Sequence, residues 1–344
     1  MHRLTLSPDE KERRTRAITV LSLLAILIVV VFIVSMNTGF MRLSPREVLY
    51  TLLGDGTHQQ KLILFDFRLP RIVISLLVGA GFAVSGCILQ SLARNALAEP
   101  ATLGISAGAG FAVIIFISFF PATTAAPVFV LPLLALGGAS LTAALIYILA
   151  YRKADGLSPT RLILIGIAVA AGINACQLVL ALRLDPNNYQ FVATWIAGKI
   201  WGGDWRFVLA LLPWIAILLP LAFYKARILN VLNLGDHTSL GLGMRVEKER
   251  ILLLVTAVAL AGSCVAVSGG IGFVGLIAPH LARKLVGPRH QVLLPASALT
   301  GALLMITSDT IGRWVLQPAE VPTGIVVAII GAPYFLYLLA KSKA

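Results

Sequence analysis

The sequence predicts an all-α, polytopic membrane protein with about ten transmembrane helices. Of its 344 residues, 58% are hydrophobic and only 12% are charged, and its mean hydropathy is +0.91. Soluble domains average roughly 45–50% apolar and 25% charged residues. Uncharged stretches of about 20 residues, the length that one helix needs to cross the hydrocarbon core, recur from end to end. No stretch remains for a separate soluble core, so we expect one membrane domain.

The predicted spans follow from the places where charges and helix-breaking residues interrupt the apolar sequence. Ala17–Met36 has the length of a span and no small-residue cleavage site, so we interpret it as the first helix and not as a signal peptide. Two runs are too long for one crossing: 101–151 has a turn signal at Pro121 and Pro127, and 251–282 is broken by Ser-Gly-Gly at 268–270. The other spans are 72–93, 162–182, 207–224, 291–313 and 322–340.

The positions of the basic residues predict the orientation. With the N-terminus in the cytoplasm, 19 of the 28 lysine and arginine residues fall in cytoplasmic segments, as the positive-inside rule predicts. We therefore expect cytoplasmic tails at 1–16 and 341–344 around a single membrane domain at 17–340. Three tryptophans then lie at the outer membrane interface, where a short helix is expected: Trp195, Trp201 and Trp205.

The formal charge of +13 does not indicate a nucleic-acid-binding protein. The basic residues are dispersed in short clusters between apolar runs and are not gathered on one face. A membrane protein in contact with lipid explains this distribution better than a nucleic acid partner does.

The chain carries no motif for catalysis or for a cofactor. It has no GxxxxGK[ST] phosphate loop and no HExxH zinc motif, so energy for uphill transport would come from another subunit. The cysteines, Cys87, Cys176 and Cys264, lie in apolar runs without metal-like spacing. We expect them to be buried small hydrophobic residues, and we expect no metal site.

Few polar residues lie within the predicted spans. Asp309 is the best candidate for ion coupling, because an ionisable residue in a membrane is costly and persists mainly for function. It lies one helical turn before Arg313, so a local pair that orients the arginine is favoured over a proton relay. Gln90, Asn174 and Gln177 either line a pathway or form hydrogen bonds between helices.

Four longer strings are more specific: RLPR at 68–71, SGCILQSLARNALAEPATLGISAGAG at 85–110, GGIGFVGLIAPHLARKLVG at 269–287 and AEVPTGIVVAIIGAPYFLYLL at 319–339. Together they resemble the FecCD family of ABC importer permeases, which serves ferric siderophores, haem and cobalamin. The match covers about 45–340, and Ala96 departs from it, since the family often has proline there. The resemblance implies a cobalamin-importer-like fold in which two permease subunits of ten helices surround a central pathway. Two ATPase subunits bind below, and an extracytoplasmic binding protein docks outside.

The resemblance also implies roles for two groups of residues. The cytoplasmic segment at about 230–248 matches the family's contact with the ATPase, with the candidates Gly235, Asp236, Leu240, Gly241 and Leu242. On the outer side, the binding proteins present a glutamate from each lobe to arginines that match Arg68, Arg71 and Arg313. Taken alone, these features are a connecting loop and interfacial arginines. Glu99, before a proline, is expected to cap or orient the following helix.

The sequence therefore predicts a non-enzymatic transmembrane subunit, without a cofactor, that passes an iron(III)-siderophore complex across the cytoplasmic membrane when a partner ATPase hydrolyses ATP. Iron is preferred because most members of the resembled family serve iron, and cobalamin and haem are alternatives. A secondary transporter driven by an ion gradient would depend on Asp309. A receptor or scaffold without transport would tolerate loss of the 235–242 segment. Whether the second permease is an identical copy or a paralogue stays open.

Overall fold

A computed structural model describes residues 8–39, 43–120, 130–152, 156–200 and 204–341. The helices of the first half are α1 (Pro8–Asn37), α2 (Pro45–Leu52), α3 (His58–Lys61), α4 (Leu69–Leu92), α5 (Ile105–Phe119), α6 (Val130–Ala150) and α7 (Pro159–Ala181). Those of the second half are α8 (Pro186–Ile196), α9 (Trp205–Tyr224), α10 (Ala226–Leu232), α11 (Asp236–Gly241), α12 (Val246–Ser268), α13 (Val274–Val286), α14 (His290–Val315) and α15 (Thr323–Lys341). A π-helical stretch, Leu62–Arg68, joins α3 to α4. Between α6 and α7, β1 (Tyr151–Arg152) pairs antiparallel with β2 (Gly156–Leu157).

Seven helices among the described residues are long and apolar enough to cross a membrane: α1, α4 with the segment before it, α6, α7, α9, α12 and α14. Two shorter apolar helices, Ile105–Phe119 and Thr323–Tyr337, correspond to the third and tenth predicted spans. The eighth is α13, whose 13 residues extend about 20 Å and cannot alone cross a hydrocarbon core of roughly 30 Å. The predicted all-α membrane fold is confirmed, and α13 is shorter than the span predicted for it.

The break predicted at 268–270 is present, and it changes the course of the chain inside the membrane domain. α12 ends at Ser268, and the backbone is not helical again until Val274. Gly269 has φ +71°, and a Cβ atom there would lie 2.1 Å from the carbonyl oxygen of Trp195. Both the left-handed conformation and this close approach require glycine. Backbone without helical hydrogen bonds is tolerated at such depth only where protein surrounds it.

The core is built around α4. In the most apolar stretch of the segment that contains α4, 78% of the residues are buried, whereas only 11% are buried in the corresponding stretch of α1. α4 packs against α14, α12, α13 and α9. Where α4 crosses α14, a Cβ atom on Gly79 would lie 2.3 Å from the carbonyl oxygen of Gly301, and the reverse distance is also 2.3 Å. The two backbones are therefore in direct contact, the type of packing that small residues permit in membranes.

The cysteine prediction is wrong for one of the three residues. Cys87 and Cys264 are buried, but Cys176 lies on the exposed face of α7. A helix that is apolar all round has no sequence signal that separates its protein-facing side from its lipid-facing side.

A short helix, α8, is present in the segment predicted for the outer interface, but one tryptophan is placed differently from the prediction. Trp195 is only 3% exposed and packs inside the fold, so it is not an interfacial anchor. Trp205 is partly exposed, and its Nε1 donates to the carbonyl oxygen of Phe65 at 2.9 Å. Trp201 lies outside the described residues, as do Pro121 and Pro127 at the predicted turn.

The contact between α4 and α14 can be tested with a single methyl group. We expect Gly79→Ala to destabilise the chain by about 1–3 kcal/mol, because the added Cβ atom meets the backbone of α14. Gly137→Ala on α6 is the matched control, since nothing lies within 4 Å of a Cβ atom there. The measurement is thermal unfolding of both variants in detergent. Equal midpoints would contradict the close packing.

Candidate functional site

The segment between α9 and α12 presents an apolar tip on a polar loop. Gly235, with φ +108°, turns the chain from α10 into α11. Ser239 is buried, and its Oγ donates to the carbonyl oxygen of Val231 at 2.9 Å, which attaches α11 to α10. Leu240 and Leu242 are 58% and 64% exposed, and Gly241 between them has open space around its Cα. Two leucines therefore project outward from a surface that a partner could cover.

Asp236, the first residue of α11, points inward and joins three parts of the fold. Arg250 in α12 donates through Nη2 to both carboxylate oxygens at 2.8 and 2.9 Å. Arg94, just beyond the end of α4, donates to the same carboxylate. Arg250 also donates to the carbonyl oxygen of Leu157 in β2 at 3.0 Å. Burial disfavours the charged form, but hydrogen bonds and charge from Arg250, and then from Arg94, hold the pKa of Asp236 below its usual value.

A second ion cluster lies at the other end of α4. The buried Asp309 accepts from Arg71 Nε at 3.0 Å, from Arg313 Nε at 3.0 Å and from Thr323 Oγ1 at 3.1 Å. The predicted local pair of Asp309 with Arg313 is confirmed. Arg71 also donates through Nη1 to the partly exposed Glu320 at 2.9 Å. Asp309 is thus held by two arginines from different helices, an arrangement typical of a structural ion cluster.

The three arginines predicted for the outer side converge on one small cavity. Arg68, Arg71 and Arg313 line a space of about 170 Å³ together with Glu320. Arg68 and Arg313 are each only 6% exposed, and Arg68 donates to a carbonyl oxygen at the end of α1. Three guanidinium groups and two carboxylates leave this cluster with a net positive charge. Its most accessible guanidinium belongs to Arg71, whose side chain is 15% exposed.

Two of the three predicted polar residues line a second cavity, of about 180 Å³, beside the 269–273 break. Asn174 and Gln177 on α7 face it together with Ser106 and Trp195. Gln177 Nε2 donates to the carbonyl oxygen of α5 residue Ala107 at 2.6 Å, so this side chain both packs helices and lines the cavity. In the described part of the chain, no three histidine, cysteine or acidic residues are grouped as metal ligands. The cavity could therefore recognise a ligand by its shape and by hydrogen bonds with amide and hydroxyl groups, and not by metal coordination.

Gln90 and Glu99 do not line this cavity but form hydrogen bonds with the backbone at the start of α13. Gln90 Nε2 donates to the carbonyl oxygens of Gly275 and Leu276 at 3.2 and 3.3 Å, so the helix-packing alternative holds for Gln90. Glu99 is 6% exposed, and its carboxyl group is hydrogen-bonded to the backbone of Phe273. Of the expectation that Glu99 caps or orients the following helix, the capping alternative is therefore wrong. Glu99 caps a helix that is distant in sequence, since the bend at 269–273 brings α13 back beside it.

Comparison with known proteins identifies the family of the chain. The model of the FecCD transport family matches residues 26–341. The chain belongs to this family. The FecCD chain is 52% identical to the iron(3+)-hydroxamate import system permease protein FhuG of Bacillus subtilis, over 97% of its own length and 100% of that relative. It is 42% identical to the iron-uptake system permease protein FeuC of the same organism, over 92% and 96% of the two chains.

A solved structure supports the same assignment. The FecCD chain superposes on a metal-chelate type ABC transporter in an inward-facing conformation with a TM-score of 0.81. The two chains are 31% identical, and the alignment covers 94% of this chain and 99% of the other. The predicted family and the predicted membrane fold are therefore confirmed.

The sequence did not reveal that Arg94 and Arg250 hold Asp236. Arg94 lies in the segment after α4, and Arg250 lies 14 residues after Asp236. The only available signal was that each is a charge near a helix end: Arg94 stands alone there, whereas Arg250 directly follows Lys248 and Glu249. Such a charge is equally typical of a residue at the membrane surface.

The Asp236 cluster can be tested by hydrogen exchange. Asp236→Asn keeps the size of the side chain but removes its charge, and we expect roughly tenfold faster amide exchange in α10 and α11, a modest effect because the carboxylate is partly exposed. Because the pKa of Asp236 is lowered in the folded chain, the ion pairs stabilise the fold above the unfolded pKa and are lost as the pH falls through the folded pKa.

Wild-type protection of α10 and α11 should therefore persist down to about pH 4. The control is Asp204→Asn, whose carboxylate is exposed at the start of α9. Equal exchange of α11 in wild type and Asp236→Asn would exclude a holding role for the carboxylate.

Proposed function

We propose that this chain is the permease subunit of a binding-protein-dependent ABC importer that carries iron(III)-hydroxamate complexes across the cytoplasmic membrane. The observation that carries the proposal is the 52% identity to a hydroxamate import permease over 97% of this chain and 100% of that relative. The chain itself does no chemistry, and the ATPase activity belongs to a partner subunit. Cobalamin and haem remain the alternative cargo of the same machinery.

The α11 tip is the proposed contact with the ATPase. Leu240 and Leu242 provide an exposed apolar surface around Gly241. Ser239 and Asp236 attach this surface to α10, α4 and α12. A movement imposed on α11 is therefore transmitted to long membrane helices as a rigid-body tilt, which is the kind of two-state motion that alternating access requires.

The outer arginine cluster is the proposed docking site for the extracytoplasmic binding protein. Arg71 is accessible, and Glu320 of this chain already occupies one of its donors. A carboxylate from the binding protein would add to, or replace, that partner, while Arg68 and Arg313 maintain the positive potential of the cavity. Because the arginines are held in place by other groups of this chain, they would fix the orientation of the binding protein better than freely exposed arginines would.

The cavity beside Asn174 and Gln177 is the proposed part of the pathway. It is small in one chain, and a second permease subunit, identical or paralogous, is needed to enclose space for a chelate. Amide and hydroxyl groups suit the polar surface of a hydroxamate complex without fixing its iron. In this assembly both termini, residues 1–16 and 341–344, face the cytoplasm, and 17–340 form the membrane domain.

Neither alternative function accounts for these features as well. A secondary transporter would use Asp309, but that carboxylate is already held by two arginines and a threonine. A receptor or scaffold leaves the exposed α11 leucines without a role. Both alternatives predict that uptake does not depend on the 235–242 segment.

Uptake of iron-55 hydroxamate siderophores tests the proposed function. The host would be a strain lacking its own hydroxamate permeases, supplied with this chain and the remaining subunits of its transport system. We expect Gly241→Asp to lower uptake on the order of tenfold or more, because a charge would enter an apolar contact. Gly241→Ala adds only a methyl group in open space and should remain near wild type.

Membrane levels of both variants are compared by immunoblot, and uptake is repeated after ATP depletion. Uptake that persists in Gly241→Asp would reject the coupling role. Uptake that follows an ion gradient without ATP would reject the importer and favour the secondary transporter. ATP-dependent uptake of cobalamin or haem alone would reject only the proposed cargo.

Docking is tested by the affinity of the binding protein for the assembled transporter. We expect Arg71→Gln to weaken the affinity of the binding protein roughly thirtyfold, because an interfacial charge pair is lost. The affinity should also depend less on the salt concentration than it does in wild type. Arg46→Gln, an exposed arginine on α2, is the control and should change little. Glu320→Gln frees Arg71 and should not weaken binding. A loss of affinity in Glu320→Gln equal to that in Arg71→Gln would indicate that the cluster is only structural.

A further inference from the structure

A groove lies between the first turns of α1 and the turn that joins α13 to α14. Its volume is about 750 Å³. Basic side chains form its rim: Arg13, Arg14 and Arg16 on α1, and Arg289 before α14. Apolar side chains form its floor: Ile18, Leu21, Val286 and Val292. The functions proposed above do not use this groove.

The groove lies at the level of the lipid headgroups. α1 is a peripheral helix that packs along α14 and against α13. Only 11% of the residues in its most apolar stretch are buried. Arg16 is followed directly by the uncharged run that begins at Ala17. The guanidinium groups are therefore at the membrane surface, and the apolar floor continues into the hydrocarbon region.

Three of the four arginines remain available to a ligand. Arg16 Nη2 donates to the carbonyl oxygen of Lys284 near the end of α13 at 3.2 Å. Arg13, Arg14 and Arg289 form no ion pair with a carboxylate within the described ranges. The N-terminus of the 26-residue α14 adds positive potential at the same place, and the Arg289 side chain does not cap it. The groove is therefore electropositive at its rim and apolar at its floor.

We propose that this groove binds an acidic phospholipid. Arg13, Arg14 and Arg289 hold the phosphate, because guanidinium groups form paired hydrogen bonds with phosphate oxygens. One acyl chain lies along Ile18 and Val292. An acidic protein surface would also meet the arginines, but it would leave the apolar floor uncovered. The lipid adds to the protein contacts that join the start of α1 to α13 and α14.

Lipid binding by the purified, delipidated full-length chain tests the proposal. Dioleoylphosphatidylglycerol and dioleoylphosphatidylcholine are titrated separately, and bound lipid is counted by native mass spectrometry. Wild type should bind phosphatidylglycerol in preference. Substitution of Arg13, Arg14 and Arg289 by glutamine should weaken that binding about fivefold for each arginine removed.

Three controls distinguish a specific lipid site in the groove from a general attraction of acidic lipids to basic residues. Lysine at the same three positions keeps the charge but cannot form the paired hydrogen bonds, so this variant should bind phosphatidylglycerol more weakly than wild type and more tightly than the glutamine variant. Glutamine at Arg152, Arg227 and Arg245, exposed arginines outside the groove, should leave binding unchanged. Val292→Trp fills the floor and should lower phosphatidylglycerol binding although every arginine is present.

The proposal fails if the first triple variant binds phosphatidylglycerol as wild type does, or if phosphatidylcholine binds equally well. It also fails if the control triple variant loses as much binding as the groove variant. Unchanged lipid binding combined with loss of the co-purifying ATPase would assign the arginines to a protein contact instead. None of these outcomes depends on which chelate is transported.

Discussion

The direct contact of α4 with α14 and α13 is the constraint on which the rest of this structure depends. Within lipid, burial of apolar surface does not drive helices together, so packing contacts and hydrogen bonds must do so. Gly79 meets Gly301, and Gly86 meets Gly275, each with backbone close to backbone. These crossings enclose α4 and set the positions of the helices around it.

α4 connects the two ion clusters. Arg71 in its first turn belongs to the cluster around Asp309, and Arg94, just past its last turn, belongs to the cluster around Asp236. The helix between them is about 35 Å long, since it has 24 residues. In the proposed importer, one rigid element therefore runs from the docking surface to the α11 tip. This offers a physical link between the two partners, through a packed helix with an ion cluster at each end.

The break between α12 and α13 explains why the cavity lies where it does. The non-helical backbone at 269–273 passes close to Trp195 and Glu99, and its glycines leave room beside Asn174 and Gln177. Non-helical backbone inside a membrane protein is stable where neighbouring groups satisfy its polar atoms. Glu99 does this at Phe273, the last residue before α13, and Gln90 donates to carbonyl oxygens in the first turn of α13. The break at 269–273 thus has two consequences: it leaves a polar cavity beside α7, and it makes α13 a short helix whose start is stabilised by other side chains.

The sequence alone determined the membrane class, the all-α fold, the break at 268–270 and the family, because lipid imposes long apolar runs and glycine marks special backbone. It also determined the Asp309–Arg313 pair, which is local. It did not determine the partners of Arg71, Arg94 and Glu99, nor the exposure of Cys176. Those depend on residues distant in the sequence, and apolar helices carry little pattern to say which face meets protein. Only the packing of the helices decided them.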